Sequence, residues 1–566
     1  MAHDGSFSDG GFDGFAAAPS PQELMRFDLN DLGNARRLIR HAGGTFDDQG
    51  RPDLTGARLL YLRDHGWIAF DGKRWDVAMG PAYARRLAHK VAEGLWGQAA
   101  AFAEDRERKK AQKAGTDVPP APPKDDGGRK RQKPDPAIED FYEFARSCGN
   151  VGKTGGMLTQ AESYLMVDLS AFDPDPWAFN VINGTLKWRQ GDDGRWRMTF
   201  SRGHDPSDRI TRLAPVLYDP KASAPQWTKA VEQWLPEEPT RRFVQRIAGY
   251  GLTGNTSEQA FFIFQGLGGD GKSTFVGAVR NVAGDYAATA DVKTFLDMGQ
   301  RSGGDASSDI ARLAGETRLV CTAEPPRGAK LNEGMIKSFT GGAPIAARRL
   351  RQEQFEFKPK GKVILECNTR PVIKGDDEGI WRRIFIVLWE VRITSGRIKD
   401  FDLILARAEG SGILNWLMAG VGDWLARGLD PPKRVSEALE DYRKGSSPFG
   451  EWLTECVIID KNERHEASDF YRSYKAWMER QDSDAKPMSQ RAFGTALGER
   501  QILRDGKNSA GNVMRRGARL KTELELQEDL ARANVTGSGA GGLLPEDPDY
   551  DPLLDDADED APRAGQ

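Results

Sequence analysis

The sequence predicts a multidomain α/β protein with a central parallel sheet and crossover helices, an α+β domain before it and a mainly helical region after it. The chain has 566 residues, which at about 150 residues per domain correspond to three or four domains. From Phe261 to about Glu390, short apolar runs alternate with helical patterns, as successive β–α–β units require. A glycine-rich loop of the phosphate-binding type directly follows one of these apolar runs.

Composition excludes several classes of protein. With 39% hydrophobic and 29% charged residues, the chain is neither collagen-like nor wholly disordered. Its longest apolar runs, such as Phe261 to Phe264, are far shorter than the roughly 20 residues that span a bilayer. The four cysteines lie far apart and form no C-x-x-C pair, which argues against a disulfide framework or a zinc site. The first residues lack a secretory signal, so we expect a cytoplasmic protein with no membrane partner.

Changes in composition divide the chain into segments. The first residues are rich in Gly, Ser and Asp without apolar periodicity, which indicates disorder. Gly66 to Trp75 reads as two strands joined at Asp71-Gly72, and helical spacing follows it. The predicted segments are a disordered arm (1–25), an N-terminal accessory domain (26–105), a basic proline-rich linker (106–136), a second N-terminal domain (137–255), the central α/β domain (256–395), a helical region (396–535) and an acidic disordered tail (536–566).

Two of these segments carry strong net charge. Residues 106–133 hold ten basic and four acidic side chains, and they form either an arm that attracts phosphates or a solvated spacer. Residues 537–566 hold nine acidic side chains and one basic one. This tail either docks a partner, mimics a polyanion or simply solvates the chain end.

The central motif is G-x-x-x-x-G-K-[ST]. The apolar strand Phe261 to Phe264 precedes it, and a helical pattern follows. Glycines allow backbone N–H groups to converge on phosphate oxygens, Lys272 reaches the β- and γ-phosphates, and Ser273 ligates Mg²⁺. The same loop also fits a dinucleotide fingerprint, but such a loop has no need of the lysine and the hydroxyl. The predicted nucleotide-binding residues are Gly266, Gly268, Gly269, Asp270, Gly271, Lys272, Ser273 and Thr274.

Two further apolar strands end in polar side chains suited to triphosphate hydrolysis. Arg318 to Ala323 ends at Glu324, which we assign as the acid that holds the Mg²⁺ shell with Ser273 and polarises water. A carboxylate that merely faces solvent is the alternative. The next strand ends at Asn368, whose amide can donate to the γ-phosphate while orienting water.

Two arginines follow an aromatic anchor in Gly379-Ile380-Trp381-Arg382-Arg383. A guanidinium on the transferred phosphoryl group accelerates such reactions by about 10³ to 10⁵. Arg382 or Arg383 is therefore the candidate arginine finger, and salt bridges to the neighbouring acids are the alternative.

These motifs together resemble the superfamily 3 helicases, specifically the P4-type primase-helicases of phages and plasmids and their poxvirus D5 relatives. The matching segments are GLGGDGKST at 266–274, RLVCTAE at 318–324, LNEGMIKSFTGGAPIAARRL at 331–350, ECNTRP at 366–371 and GDDEGIWRR at 375–383. The resemblance implies an AAA+-like P-loop ATPase core at 256–395, a D5 N-terminal-like domain at 137–255 and a winged helix within 396–535. It also implies ATP and Mg²⁺ as cofactors.

The resemblance further implies a ring homo-oligomer, expected to be a hexamer, that acts on single-stranded or forked DNA. Lys337, Arg348, Arg349 and Arg351 fall near the family's pore hairpin, which grips single-stranded DNA, although a solvated strand edge explains the arginines nearly as well. Replication proteins are the partners expected for the acidic tail. Residues 1–150 show no Cys/His cluster, so the resemblance does not extend to a primase module.

The leading hypothesis is therefore an ATP-driven DNA helicase in phage or plasmid replication. The alternative is a nucleotide-switched origin-binding or loading factor that remodels partners without unwinding. A DNA-packaging motor would need a nuclease domain with clustered carboxylates, and the dense acidic cluster of this chain lies in the tail.

Overall fold

The computed structural model describes residues 19–113, 135–298, 308–348, 354–373, 378–445, 448–481 and 487–528. The acidic tail, Arg349, Arg351 and most of the proposed arm and linker therefore lie outside the described residues. Contacts divide the chain into two compact units. The first comprises 1–324, 332–368 and 377–439, and the second comprises 325–331, 369–376 and 440–566.

The first unit mixes helices with short strands. Its helices are α1 (Pro21–Leu24), α2 (Asp31–His41), α3 (Gly80–Lys113), α4 (Pro136–Ser147), α5 (Val151–Leu165), α6 (Pro225–Trp234), α7 (Glu238–Leu252), α8 (Lys272–Ala283), α9 (Ser308–Ala311), α10 (Glu333–Thr340), α11 (Glu378–Trp381) and α12 (Phe401–Arg427). Helix α13 (Lys433–Gly445) begins in the first unit and ends in the second. The strands of the first unit are β1 (Thr45–Phe46), β2 (Pro52–Asp53), β3 (Leu59–Leu62), β4 (Gly66–Phe70), β5 (Trp75–Asp76), β6 (Met166–Val167), β7 (Ala178–Val181), β8 (Gly184–Gln190), β9 (Trp196–Arg202), β10 (Phe261–Gly266), β11 (Ala287–Ala290), β12 (Leu319–Thr322), β13 (Ile345–Arg348), β14 (Gln354–Phe357), β15 (Lys362–Cys367) and β16 (Ile384–Trp389).

The centre of the first unit is a five-stranded sheet in the order β11-β12-β15-β10-β16, and every ladder in it is parallel. Strand β10 reads as a continuous apolar run because it is buried on both faces, as parallel strands between helices are. The predicted parallel α/β core is confirmed. Since all strands point the same way, their carboxyl ends meet along one edge.

Aromatic side chains fill the space between this sheet and its helices. Trp227 of α6 stacks on Phe275 of α8 with ring centroids 5.1 Å apart, and Phe275 lies 5.5 Å from Trp389 of β16. Leu414 and Leu417 of α12 are fully buried in the same core. Helix α12 was predicted to belong to the C-terminal region, but its apolar side chains complete the core of the sheet.

The N-terminal residues form a separate core. Strands β5, β4, β3 and β6 make one sheet, in which β6 pairs with β3 in parallel. Leu60, Val91 and Met157 are buried together there. The residues before and after the predicted linker therefore share one core, and α3 continues as a helix to Lys113, inside that linker. Helix α1 likewise lies within the stretch expected to be disordered.

One predicted hairpin can be compared with the strands. Phe70 pairs with Trp75 across the Asp71-Gly72 turn, as the dipeptide indicated. Strands β7, β8 and β9 form an antiparallel meander, and Phe179 and Leu186 of this meander join the core of the central sheet.

The described part of the second unit contains helices and an antiparallel sheet in the order β17-β19-β18. Its elements are α14 (Pro448–Cys456), β17 (Val457–Glu466), α15 (Ala467–Gln481), α16 (Gln490–Glu499), β18 (Leu503–Lys507) and β19 (Val513–Leu520). Phe449, Trp452 and Phe493 form its aromatic core. In the described parts of both units, none of the helices is both long enough and apolar enough to cross a bilayer.

Candidate functional site

The glycine-rich loop lies at the carboxyl edge of the central sheet, between β10 and α8. Gly271 precedes the helix with a φ of +88°, a left-handed conformation that a side chain disfavours. A Cβ atom at Gly271 would also lie 2.5 Å from the indole of Trp234. Helix α8 begins directly after this tight turn, and the amino end of a helix suits an anion.

Lys272 is held within the loop. Its Nζ donates to Asp270 Oδ2 at 2.6 Å and to Asn368 Oδ1 at 3.4 Å. The same carboxylate of Asp270 accepts from the backbone N–H of Gly268 at 3.2 Å. The ammonium group therefore already lies between the loop and the end of β15, where a phosphate cradled by the loop would meet it.

Ser273 contacts a residue that sequence reasoning did not select. Its Oγ donates to Glu366 Oε2 at 2.7 Å. Burial raises the pKa of the Glu366 carboxyl, and the hydrogen bond from Ser273 and the charge of Lys272 oppose that shift. The sequence does show one carboxylate within the apolar strand KVILEC, which could have marked Glu366 as a candidate. The strand alone does not show which helix the Glu366 side chain faces.

Glu324 and Asn368 form a second pair at the same edge. The backbone N–H of Asn368 donates to Glu324 Oε1 at 2.9 Å, and its side-chain amide donates to Glu324 Oε2 at 2.7 Å. The pairing follows from the sheet, because β12 and β15 are adjacent and both end here. Both carboxylate oxygens of Glu324 are thus oriented by Asn368.

Together these groups line one cleft of about 320 Å³. The side chains and backbone around it come from Gly268, Gly269, Asp270, Gly271, Lys272, Ser273, Thr274, Ala323, Glu324, Glu366, Cys367 and Asn368. A glycine-rich loop, a lysine, a serine hydroxyl and three carboxylates within one cleft fit a triphosphate with Mg²⁺. Gly266 ends β10 just before the loop.

The two candidate finger arginines lie elsewhere. Arg383 is 8% exposed, and its guanidinium donates to Gln259 Oε1 at 2.9 Å, Thr340 Oγ1 at 3.2 Å and the carbonyl oxygen of Gly379. Arg382 is exposed and reaches Gln259 Oε1 at 3.4 Å. The two adjacent arginines therefore have different environments. The Arg383 side chain is buried and hydrogen-bonded within its unit, whereas the Arg382 side chain is exposed to solvent.

Neither arginine can serve its own cleft. Ile384 pairs with Phe261 at the amino end of β10, whereas Trp389 pairs with Gly266 at the loop. At about 3.3 Å per residue, strand β16 is about 16 Å long, and the cleft lies at its carboxyl end. Arg382 precedes the amino end of this strand, so it lies about a strand length from the cleft.

The predicted DNA-binding residues lie on two elements. Lys337 is in α10, with Nζ 3.8 Å from Glu333 Oε2. Arg348 is exposed at the end of β13, which pairs with β14 as an antiparallel hairpin in which Arg348 is opposite Gln354. Arg349 and Arg351 fall outside the described residues, so their placement stays a prediction.

Comparisons with known proteins place this chain among viral relatives. Residues 52–237 match the family described as D5 N terminal like, and residues 264–383 match a family of unknown function, DUF5906. The chain is 28% identical over 379 residues to Putative helicase 022R of Frog virus 3, covering 60% of this chain and 38% of that protein. It is 26% identical over 269 residues to Putative helicase L207/L206 of Acanthamoeba polyphaga mimivirus, covering 43% and 27%.

The chain thus spans less than two fifths of the length of these curated relatives. Among solved structures, it is similar to the apo C-terminal region of NrS-1, residues 305–718, at 9% identity and a TM-score of 0.28, with 59% of this chain and 96% of that one covered. The second family match contains the glycine-rich loop, Glu324, Asn368 and Arg382.

Proposed function

We propose that the chain is a D5-like helicase, an ATP-driven enzyme that acts as a ring homo-oligomer on single-stranded or forked DNA in phage or plasmid replication. The observation that carries this proposal is the cleft at the carboxyl edge of the sheet. There Lys272, Ser273, Glu324 and Asn368 come together from three separate segments of the chain. The names of the viral relatives support the same activity.

The side chains divide the work of triphosphate hydrolysis. The loop N–H groups and the amino end of α8 bind the β-phosphate, and Lys272 neutralises charge that accumulates on the γ-phosphate. Glu324 is aligned by Asn368, which suits it to accept a proton from an attacking water. Mg²⁺ held beside Ser273 supplies further charge stabilisation when bound.

The position of Arg382 supports the proposal that the chain assembles into a ring. An exposed arginine at the sheet edge opposite the cleft cannot reach the phosphates bound by its own subunit. It can reach those of a neighbour whose cleft faces it. A site shared in this way makes hydrolysis depend on assembly, and we expect the assembly to be a hexamer.

The hairpin β13–β14 is the proposed contact with single-stranded DNA. Arg348 lies at its end, and Lys337 lies on the preceding helix α10 of the same unit. Each phosphate neutralised on a single strand contributes about −0.7 to the slope of log affinity against log salt. Motion of this hairpin with the nucleotide state would move the strand.

The second unit is proposed to be a winged helix that contacts duplex DNA. Its helices and three-stranded sheet follow the order α14, β17, α15, α16, β18, β19. Helix α16 presents Arg491 and Thr495 to solvent, and Lys507 and Arg516 are exposed on the hairpin β18–β19. Arg515 is not part of that surface, because it donates to the carbonyls of Ile502 and Gly494.

A strand-displacement assay on a forked DNA substrate with ATP and Mg²⁺ tests the proposal. Mass measurement with and without nucleotide is run beside it. We expect displacement by the wild type, none by Lys272→Ala, and a larger assembly when nucleotide is present. Nucleotide-dependent DNA binding without displacement would instead favour the loading factor. Full ATP hydrolysis by an unassembled subunit would refute the shared site.

A further inference from the structure

We propose that Glu366, and not Glu324, is the carboxylate that holds the Mg²⁺ shell beside Ser273. Glu324 is then left to orient the attacking water. This inference rests on the proposed ATPase function and assigns a role to a residue outside the predicted set.

The first argument is the direct contact between Glu366 and the loop. Ser273 is the loop residue whose hydroxyl ligates the metal in sites of this kind. Its hydroxyl donates to Glu366 Oε2 at 2.7 Å. With that proton directed at Glu366, the lone pairs of the serine oxygen would be available to coordinate Mg²⁺ beside the phosphates. A partner that orients a metal ligand in this way is a regular part of metal sites.

The second argument is that Glu324 is already engaged. Its two oxygens accept from the backbone and side-chain N–H groups of Asn368, at 2.9 Å and 2.7 Å. The residue before it, Ala323, also lines the cleft but has no side-chain oxygen. Strand β12 therefore offers no carboxylate that contacts Ser273, and the adjacent strand β15 offers one.

The third argument is electrostatic. Glu366 is partly buried and lines the same cleft as Lys272 and Asp270, so an ionised carboxylate there has lost part of its hydration. Mg²⁺ binds through one or two carboxylates and substrate phosphates while keeping several waters. A divalent cation beside Ser273 would offset the cost of burying the charge on Glu366, directly or through one of those waters.

The test is the Mg²⁺ dependence of nucleotide binding, measured on the full chain with a fluorescent, non-hydrolysable ATP analogue in Mg²⁺ and in EDTA. We expect Glu366→Gln to reduce the tightening produced by Mg²⁺ by about tenfold or more, as loss of a metal-orienting group does elsewhere. Its affinity in EDTA should match that of the wild type, which also shows that the loop has formed. Glu324→Gln is the matched control and should keep the Mg²⁺-dependent tightening while losing hydrolysis.

The outcomes separate this inference from the proposed function. Wild-type Mg²⁺ dependence in Glu366→Gln, or its loss only in Glu324→Gln, would overturn the assignment and leave the ATPase proposal standing. Absence of nucleotide binding by the wild type would overturn the ATPase proposal itself. If Glu366→Gln does not fold, Glu366→Asp takes its place, because its shorter carboxylate keeps the charge but draws back from Ser273. An unchanged Mg²⁺ dependence in that variant also refutes the assignment.

Discussion

Replacing Arg383 by alanine tests whether this arginine stabilises the interior of its own unit or contacts a neighbouring subunit. The side chain is 8% exposed and donates to three groups of its own unit, the side chains of Gln259 and Thr340 and the carbonyl of Gly379. Removing it takes this donor away from Thr340 Oγ1 and the Gly379 carbonyl, whereas Gln259 Oε1 keeps its contact with Arg382.

The magnitude follows from these contacts. Hydrogen bonds to a charged group contribute about 1.5 to 3 kcal/mol each in the net, and measured losses for one substitution seldom exceed about 4 to 5 kcal/mol. The bonds share one side chain and are not additive, so we expect Arg383→Ala to lower the free energy of unfolding by about 2 to 4 kcal/mol. Arg382→Ala, at an exposed position, should change it by less than about 0.5 kcal/mol.

The assay is urea unfolding of the full chain followed by tryptophan fluorescence, for which Trp381 and Trp389 lie in the same unit. Arg382→Ala is the matched control, since it removes the same group from the adjacent position. ATP hydrolysis is measured on both variants well below their unfolding midpoints. If Arg383→Ala kept wild-type stability and yet lost hydrolysis, the assignment of Arg383 to the interior would be refuted.

Three further predictions concern the loop, the shared site and the N-terminal core. Lys272→Ala and Arg382→Ala should each abolish ATP hydrolysis. Mixing the two proteins should restore part of it, because a mixed ring contains junctions with an intact lysine and an intact arginine. If the mixture recovers no hydrolysis, the site is not shared between subunits. Gly271→Ala should abolish binding of a fluorescent ATP analogue without unfolding the chain, since position 271 has a φ of +88° and the new Cβ meets Trp234. Wild-type affinity in this variant would refute the requirement for glycine in this turn. Burial and the nearby charges of Lys90 and Arg40 lower the pKa of His41, whose Nε2 is buried without a hydrogen-bond partner among the described residues. As pH falls, His41 is then protonated at a higher pH in the unfolded state than in the folded state, so the free energy of unfolding should decrease below about pH 6.5. Urea unfolding at pH 7.5 and 5.5 measures this dependence, which should be weaker in His41→Gln.

Much of the site was predictable from local patterns. The strand, loop and helix around Lys272 form one continuous stretch, so glycine spacing and the apolar run before it are enough to place them. Glu324 and Asn368 were predictable because each ends an apolar strand of a parallel sheet, where carboxyl ends meet. Domain boundaries were harder, because composition marks exposed segments and does not show that β6 returns to pair with β3.

The amino-acid sequence alone determined that this protein has a parallel α/β core with a glycine-rich loop at its carboxyl edge. Those features depend on periodicity and on backbone conformation over a few adjacent residues. The tertiary structure decided which side chains face each other. It placed Glu366 against Ser273, buried Arg383 and exposed Arg382, because the register of strands and the packing of helices depend on contacts between residues far apart in the chain.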